Sequence, residues 1–471
     1  MRTYSACFLL LGLVACTAAT TGVRERTEQT RAAEPLTFIQ DDYERALAEA
    51  KAKGVPLFVH ALASGCVTCR LMKAHVLSSP SLGRHADRFV WLEVTTDLSQ
   101  NAAFLGKYPI ESSPTLYVLD PREEKALLRF HDTLDEAELE QLLDDGERAY
   151  KGSATGLEAL LAQGDALYAQ NRVVEAAKVL SEVLATAPAD WSHRGRVVLT
   201  LLGALAETYD APGMKACATK ALEVLPGTPR SLAWTHGARR GLTCALSIFP
   251  NEPEATGLEV LQGALEEKLI EAMSLPTVEL TADDRSRLIQ IQIWAREAAK
   301  DEPGSRKALS EWMTYLEAEA AKAPTPSARA LLDSHRSHVA IRLKTPERAI
   351  PALMQSEKEF PRDSTAPLRL AQLYQAQGRL EDAIAATDRA LVVAQGPRRV
   401  AVMGLRALIF KERNDTATAS RTLRDALAYA ESLPDVQRPM CSVSSLKREL
   451  AKLEAPPQVA PSKPLQVAPP K

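Results

Sequence analysis

The sequence predicts an α/β domain followed by a long all-α region built from helical repeats. Between Val55 and Phe130, short apolar runs typical of buried strands alternate with helical segments. Beyond about Gly156 such runs cease, and small and apolar residues recur at a spacing of about 34 residues. The bulk properties agree. A chain of 471 residues has room for two or three domains, and its 5% aromatic content with abundant Ala, Leu, Glu and Arg suits a mostly helical protein. A net charge of −3 without a basic stripe gives no ground for a nucleic-acid partner.

Residues 1–16 read as an export signal, with Arg2 as the charged start, Phe8 to Val14 as the apolar run and Leu13-Val14-Ala15-Cys16 at its end. That ending resembles the lipobox of bacterial lipoproteins. The resemblance implies cleavage before Cys16, a diacylglycerol on its thiol, and a chain held by lipid in the cell envelope, facing the periplasm. The apolar run is too short to cross a bilayer, which takes about 20 residues. Residues 17–36 read as a flexible tether.

The α/β domain is expected over 37–150. A helix begins near Asp41, with Tyr43, Ala46, Leu47 and Ala50 on one face and Gly54 as its stop. Val55 to Val59 is a strand, and the pair Cys66-Val67-Thr68-Cys69 opens the next helix, which runs through Met72 and Val76. Phe89 to Val94 is a second strand, Ala102 to Lys107 a short helix, and Thr115 to Leu119 a third strand turned by Asp120-Pro121. Ala126 to Phe130 is a fourth strand, His131 falls in the turn after it, and Leu134 to Tyr150 closes the domain as a helix.

Helical repeats are expected over 151–454. Gly164, Leu167, Ala176, Leu180, Val183 and Pro188 set a register that returns at Ala349, Leu353 and Pro361, at Tyr374, Ala383 and Ala390, and at Ala419, Leu423 and Ala426. These segments resemble tetratricopeptide repeats, in which small residues let paired helices approach. Between about 230 and 345 the register blurs. Residues 455–471, Pro-rich with Gln-Val-Ala-Pro twice, read as an extended disordered tail.

The chemistry centres on Cys66 and Cys69. Thiol–disulfide exchange needs an attacking thiolate, a resolving thiol and an approach surface. Cys66, first in the motif, faces the free N–H groups of the helix start, which favour a thiolate; Cys69, one turn on, is the more buried resolving thiol. Structural zinc needs four ligands, and neither a second C-x-x-C nor ligand-spaced histidines among His60, His75 and His85 supply them. No cofactor or metal is expected. Cys217, Cys244 and Cys441 are scattered; Cys217 and Cys244 either pair across neighbouring helices or stay as buried thiols.

Together with Gly54-Val55-Pro56, Leu77-Ser78-Ser79-Pro80 and Ser113-Pro114-Thr115-Leu116, the cysteine pair makes residues 54–119 resemble the thioredoxin fold, in particular the C-terminal thioredoxin-like domain of periplasmic thiol–disulfide interchange reductases. The resemblance implies a cis Pro114 lying against the dithiol. It also exposes departures. Gly65 stands where the family usually has tryptophan, and His60 where a buried acid is expected. Glu93 lies near the position of a lysine found in thioredoxins proper. A His60–Glu93 pair would then be a charge-swapped version of the usual one, with His60 either relaying the proton of Cys69, since an imidazole titrates near neutrality, or only packing in the core.

Two function classes follow. The first is an exported, lipid-anchored thiol–disulfide oxidoreductase whose repeats hold protein clients and whose dithiol is recycled by an external redox partner. The second is a protein-binding scaffold on the repeats, with the thioredoxin-like domain as a redox-sensing accessory.

Overall fold

A computed structural model describes residues 36–455. The export signal, the lipidation site Cys16 and nearly all of the tether and the Pro-rich tail lie outside the described residues.

Strands β1 (Phe38–Gln40), β2 (Leu57–Leu62), β3 (Val90–Thr95), β4 (Thr115–Asp120) and β5 (Lys125–His131) form one mixed sheet in the order β1-β3-β2-β4-β5. β1 and β2 run parallel to β3, while β4 is antiparallel to β2 and β5 to β4. Helices α1 (Tyr43–Lys53), α2 (Val67–His75), α3 (Ala102–Lys107) and α4 (Glu136–Lys151) cover both faces. Side chains alternate across a strand, so neighbouring residues feed separate cores. Leu57, Val59, Leu92 and Tyr117 pack against Ala46, Leu47 and Phe104 on one side. Phe58, Trp91, Leu116 and Val118 pack against Met72, Leu139, Leu142 and Leu143 on the other. A sheet buried on both faces explains why its strands read as continuous apolar runs. Asp42 caps α1 by accepting the Arg45 N–H at 3.1 Å, and Gly54 ends it in the left-handed conformation.

Three sequence expectations need correction. The domain starts on a strand, not on a helix at Asp41; β1 has only three residues, too few to show alternation. β5 is therefore the fifth strand. His131 is its last residue, buried and bonded to the Thr115 hydroxyl at 2.7 Å, rather than lying in a turn. Pro80–Arg88 is a 3-10 helix that no periodicity announced.

From Gly156 onward the described residues are helical. Gly156–Ala169 packs with Val173–Thr186, Arg194–Ala206 with Ala211–Val224, and Leu232–Leu246 with Leu258–Ser274. Ala282–Ala298 packs with Glu302–Lys322, Thr365–Ala376 with Leu380–Val393, and Gly396–Glu412 with Thr416–Ser432. Asp333–Leu343 packs chiefly on Glu302–Lys322 and Ile350–Glu359 on Thr365–Ala376, and Val443–Glu454 packs last. The repeat positions are interior: Ala176, Leu180, Ala349, Leu353, Ala383 and Ala419 are all buried. The middle register blurs for a physical reason. One of its helices runs to 21 residues, Pro326–Ala330 inserts an extra turn, and Asp333–Leu343 shortens to 11. Cys217 and Cys244 form a disulfide between neighbouring helices, which settles the alternative left open by sequence. Closing a loop of that size stabilises by about 3–4 kcal/mol on a chain-entropy account. Cys441 is free and buried.

The repeats wrap the α/β domain through buried charge. Arg196 reaches Asp145 of α4 at 2.6 Å and Asp165 at 3.0 Å. Glu207 receives Arg129 of β5 at 2.6 Å, the Tyr168 hydroxyl at 2.6 Å, and His131 at 3.2 Å. Asp132, just after β5, is met by Arg239 at 2.5 Å, Arg287 at 2.6 Å, Arg240 at 3.4 Å and His236 at 3.8 Å. Further along, the buried Gln437 amide donates to the Thr96 carbonyl at 2.8 Å. Gly396 passes so close to the Asp97 carbonyl that a Cβ there would lie 2.0 Å from its oxygen, so the contact itself requires glycine, which also adopts the φ of +52° there without strain.

Burial alone would raise the Asp132 carboxyl, but Arg287 and Arg239, with His236 and Arg240, hold it well below the usual carboxylate range. Asp132→Ala leaves those cations facing one another without their counter-charge, a loss of about 3–5 kcal/mol. Denaturant titration of that variant is expected to show the α/β domain unfolding apart from the repeats; an unchanged single transition would count against this anchor. Burial also pushes the Glu207 carboxyl up, yet His131, Arg129 and Tyr168 bring it down from 4.5 to about 2. A folded value below the unfolded one adds stability that is present above pH 4.5 and fades as pH falls towards 2. Glu207→Gln should cost about 3 kcal/mol at pH 7, and its deficit relative to the parent should shrink steadily between pH 5 and pH 2.5 in acid-unfolding curves.

Candidate redox site

β2 ends at Leu62 and the chain turns through Ala63 to Gly65 before α2 begins. Cys66 is the N-cap of α2. Its Sγ accepts the Cys69 N–H at 3.0 Å, the position where a thiolate would gain most from the helix start. Cys66 is half-buried and Cys69 is 1% exposed; the two form a disulfide with a 2.00 Å S–S bond.

The register places the other expected residues around this pair. Ala61 of β2 lies opposite Thr115 of β4, so Pro114 falls beside Leu62, where the dithiol loop leaves the sheet. The Ser113–Pro114 peptide is cis. His60 sits side by side with Glu93 on β3, fully buried, with its Nδ1 3.8 Å from Glu93 Oε2 and neither ring nitrogen hydrogen-bonded. Sequence reasoning missed the third member. Lys73 reaches both Glu93 oxygens at 2.8 and 2.9 Å. The signal was present, because residues four apart on a helix share a face and Lys73 follows Cys69 by four. Burial would raise the Glu93 carboxyl, but His60 and Lys73 bring it below its ordinary value. Glu93 is therefore a carboxylate held between an imidazole and an ammonium on the side of α2 that carries Cys69.

Sequence reasoning also missed how the repeats meet this face. The Thr68 hydroxyl donates to Asp283 at 2.9 Å, and Arg70 pairs with Asp363 at 2.8 Å. Gly65 has a φ of +153°, and a Cβ added there would lie 3.0 Å from Arg398 Nη2 and 3.1 Å from Thr365 Oγ1. A tryptophan at position 65 has no space; an arginine from the repeats occupies it. Ser64 N–H is taken by Asp97. His75 is exposed, and His85 is buried against Arg84 and Arg88. Among the described residues no three His, Cys, Asp or Glu side chains gather as metal ligands, and no helix is long and apolar enough to cross a membrane.

Residues 38–121 match the family model described as thioredoxin-like, and residues 340–409 match that of the tetratricopeptide repeat. No curated protein matches the chain. Among solved structures, one match is the crystal structure of the APC/C hetero-tetramer Cut9-Hcn1, 12% identical, covering 68% of this chain with a TM-score of 0.30. This chain spans 55% of that chain's length. The protein thus carries an N-terminal thioredoxin-like domain joined to tetratricopeptide-type helical repeats.

Proposed function

We propose that the chain is a thiol–disulfide oxidoreductase that works through Cys66 and Cys69. The observation that carries this reading is the Cys66 sulfur capping α2 on the Cys69 N–H, with Cys69 buried behind it. The Cys66 thiolate attacks a client disulfide, forms a mixed disulfide with one client sulfur and releases the other as thiolate. Cys69, once deprotonated, attacks Cys66 sulfur, closes the Cys66–Cys69 bond and frees the second client thiol. Two electrons pass from the dithiol to the client. Pro114 borders the approach to the pair, and His60 takes the Cys69 proton. Export and lipid anchoring at Cys16 in the bacterial envelope, facing the periplasm, are supported by the residue pattern over 1–16. Protein partners on the repeats are in keeping with the repeat type.

In an insulin-reduction assay, Cys66→Ser and Cys69→Ser should each abolish turnover, and only Cys69→Ser should accumulate a client-linked mixed disulfide. Turnover that persists in Cys66→Ser would overturn the reading. It would leave the repeats as a binding scaffold with a redox-sensing accessory. His60→Ala should slow the resolving step at least about 10-fold, the low end of what a positioned acid–base group contributes, and move the pH dependence of that step. The same pH profile at the same rate would reduce His60 to a packing residue.

A further inference from the structure

Beside the dithiol lies a cavity of about 350 Å³ between the two domains, lined by Ser64, Gly65 and Arg70 on one side and by Arg362, Asp363 and Arg398 on the other. Its charge is unbalanced. Asp363 is engaged by Arg70, whereas neither Arg362 nor Arg398 makes a salt bridge among the described residues. Arg398 is held by a single hydrogen bond, to Thr365 Oγ1 at 3.3 Å, and its buried Nε has no partner. Asp363 and Asp97 act on Arg398 only from beyond ion-pair contact, and a half-buried guanidinium without a direct counter-charge is costly unless something anionic joins it. The cavity falls at the small end of ligand sites, too small for a folded client. A larger cavity of about 790 Å³ borders Leu71 and His75 further along α2, and Glu319 and Lys322 balance each other on its wall.

Resting on the oxidoreductase reading, we propose that the Arg362–Arg398 cavity seats a low-molecular-weight thiol bearing carboxylates, and that this thiol recycles the Cys66–Cys69 pair. Arg398 takes the place of the missing ring at Gly65 and turns an apolar wall into an anion-receiving one. The thiolate of the bound molecule attacks Cys66 sulfur. The Cys66–Cys69 bond breaks, Cys69 leaves as thiolate and takes up a proton, and a mixed disulfide forms on Cys66. A second thiolate attacks the small molecule's sulfur, which forms its disulfide and frees Cys66. Two small thiols are oxidised and one protein disulfide is reduced, with no other reactant. The step supplies the electrons that reduction of a client consumes.

The test is stopped-flow reduction of the oxidised full chain by mercaptosuccinate, glutathione, 2-mercaptoethanol and cysteamine. Each rate is divided by that for hydroxyethyl disulfide, which removes intrinsic nucleophilicity. Mercaptosuccinate should exceed cysteamine by at least about 10-fold on this scale, and Arg398→Gln and Arg362→Gln should each bring the ratio below about 3-fold. Arg362 is exposed, so its variant keeps the test readable if Arg398→Gln disturbs the fold. A parent chain that does not discriminate by charge overturns the proposal while leaving the oxidoreductase reading intact. So does discrimination that survives both substitutions. Inertness to every thiol, dithiothreitol included, sinks the oxidoreductase reading and this one with it.

Discussion

The architecture turns on one buried carboxylate. Asp132 leaves the end of β5 at a φ of +126°, a backbone conformation that an aspartate rarely adopts and that costs on the order of 1–3 kcal/mol. It is held there by Arg239 and Arg240 from one repeat helix and Arg287 from another. One side chain of the α/β domain thereby joins two helices of the array. His236 extends the cluster, standing 3.2 Å from Asp284, which also caps its own helix through Thr281. With this point fixed, Glu207 lies under β5 on one side, and Asp283, Asp363 and Arg398 meet the dithiol edge on the other.

That placement changes what the repeats do. Seen as an appended array, they would offer a groove to partners while the thioredoxin-like domain faced solvent alone. Instead, three of their segments contact the loop and first turn around Cys66 through Thr68, Arg70 and Gly65. The catalytic and scaffold readings therefore meet on one surface. Whatever reaches Cys66 must pass walls made by the repeats, and whatever shifts the repeats shifts access to the cysteine. Gly65 shows the coupling at one atom. Its lack of a side chain reads as a loss within the domain, yet it is the space into which Arg398 projects.

Local pattern made much of the fold legible. The Cys pair at a helix start, the helix over Ala102–Lys107, the strand cores and the Gly54 stop all follow from periodicity and from caps that act within a few residues. The three-residue β1 escaped because so short a strand has no period. His131 escaped because its partners, Thr115 and Glu207, are brought to it by sheet register and by a helix 76 residues later. The interface escaped for the same reason on a larger scale: Thr68 and Asp283 are 215 positions apart, and Arg70 and Asp363 are 293. Within the site, Cys66 and Cys69 were named from motif spacing and Pro114 and His60 from the resemblance to the thioredoxin fold, whereas Lys73 needed the helix face and Arg398 needed the whole array.

The chemistry of the interface also bears on how the site stays aligned. A seam of apolar side chains would hold two domains firmly but would tolerate sliding. This seam sets Asp132, Asp145 and Glu207 against arginines beside apolar contacts from Ala169, Leu199 and Ala233, and buried ion pairs give little net stability over well-packed apolar groups. Their geometry, however, is demanding: a guanidinium that moves by one position leaves its own charge and its partner's unpaired at a cost of several kcal/mol. Such a seam contributes less to strength than to register. Register is what a redox site shared between two domains requires, because Arg398 can stand beside Gly65 only if the arginines at Asp132 hold the array in one place.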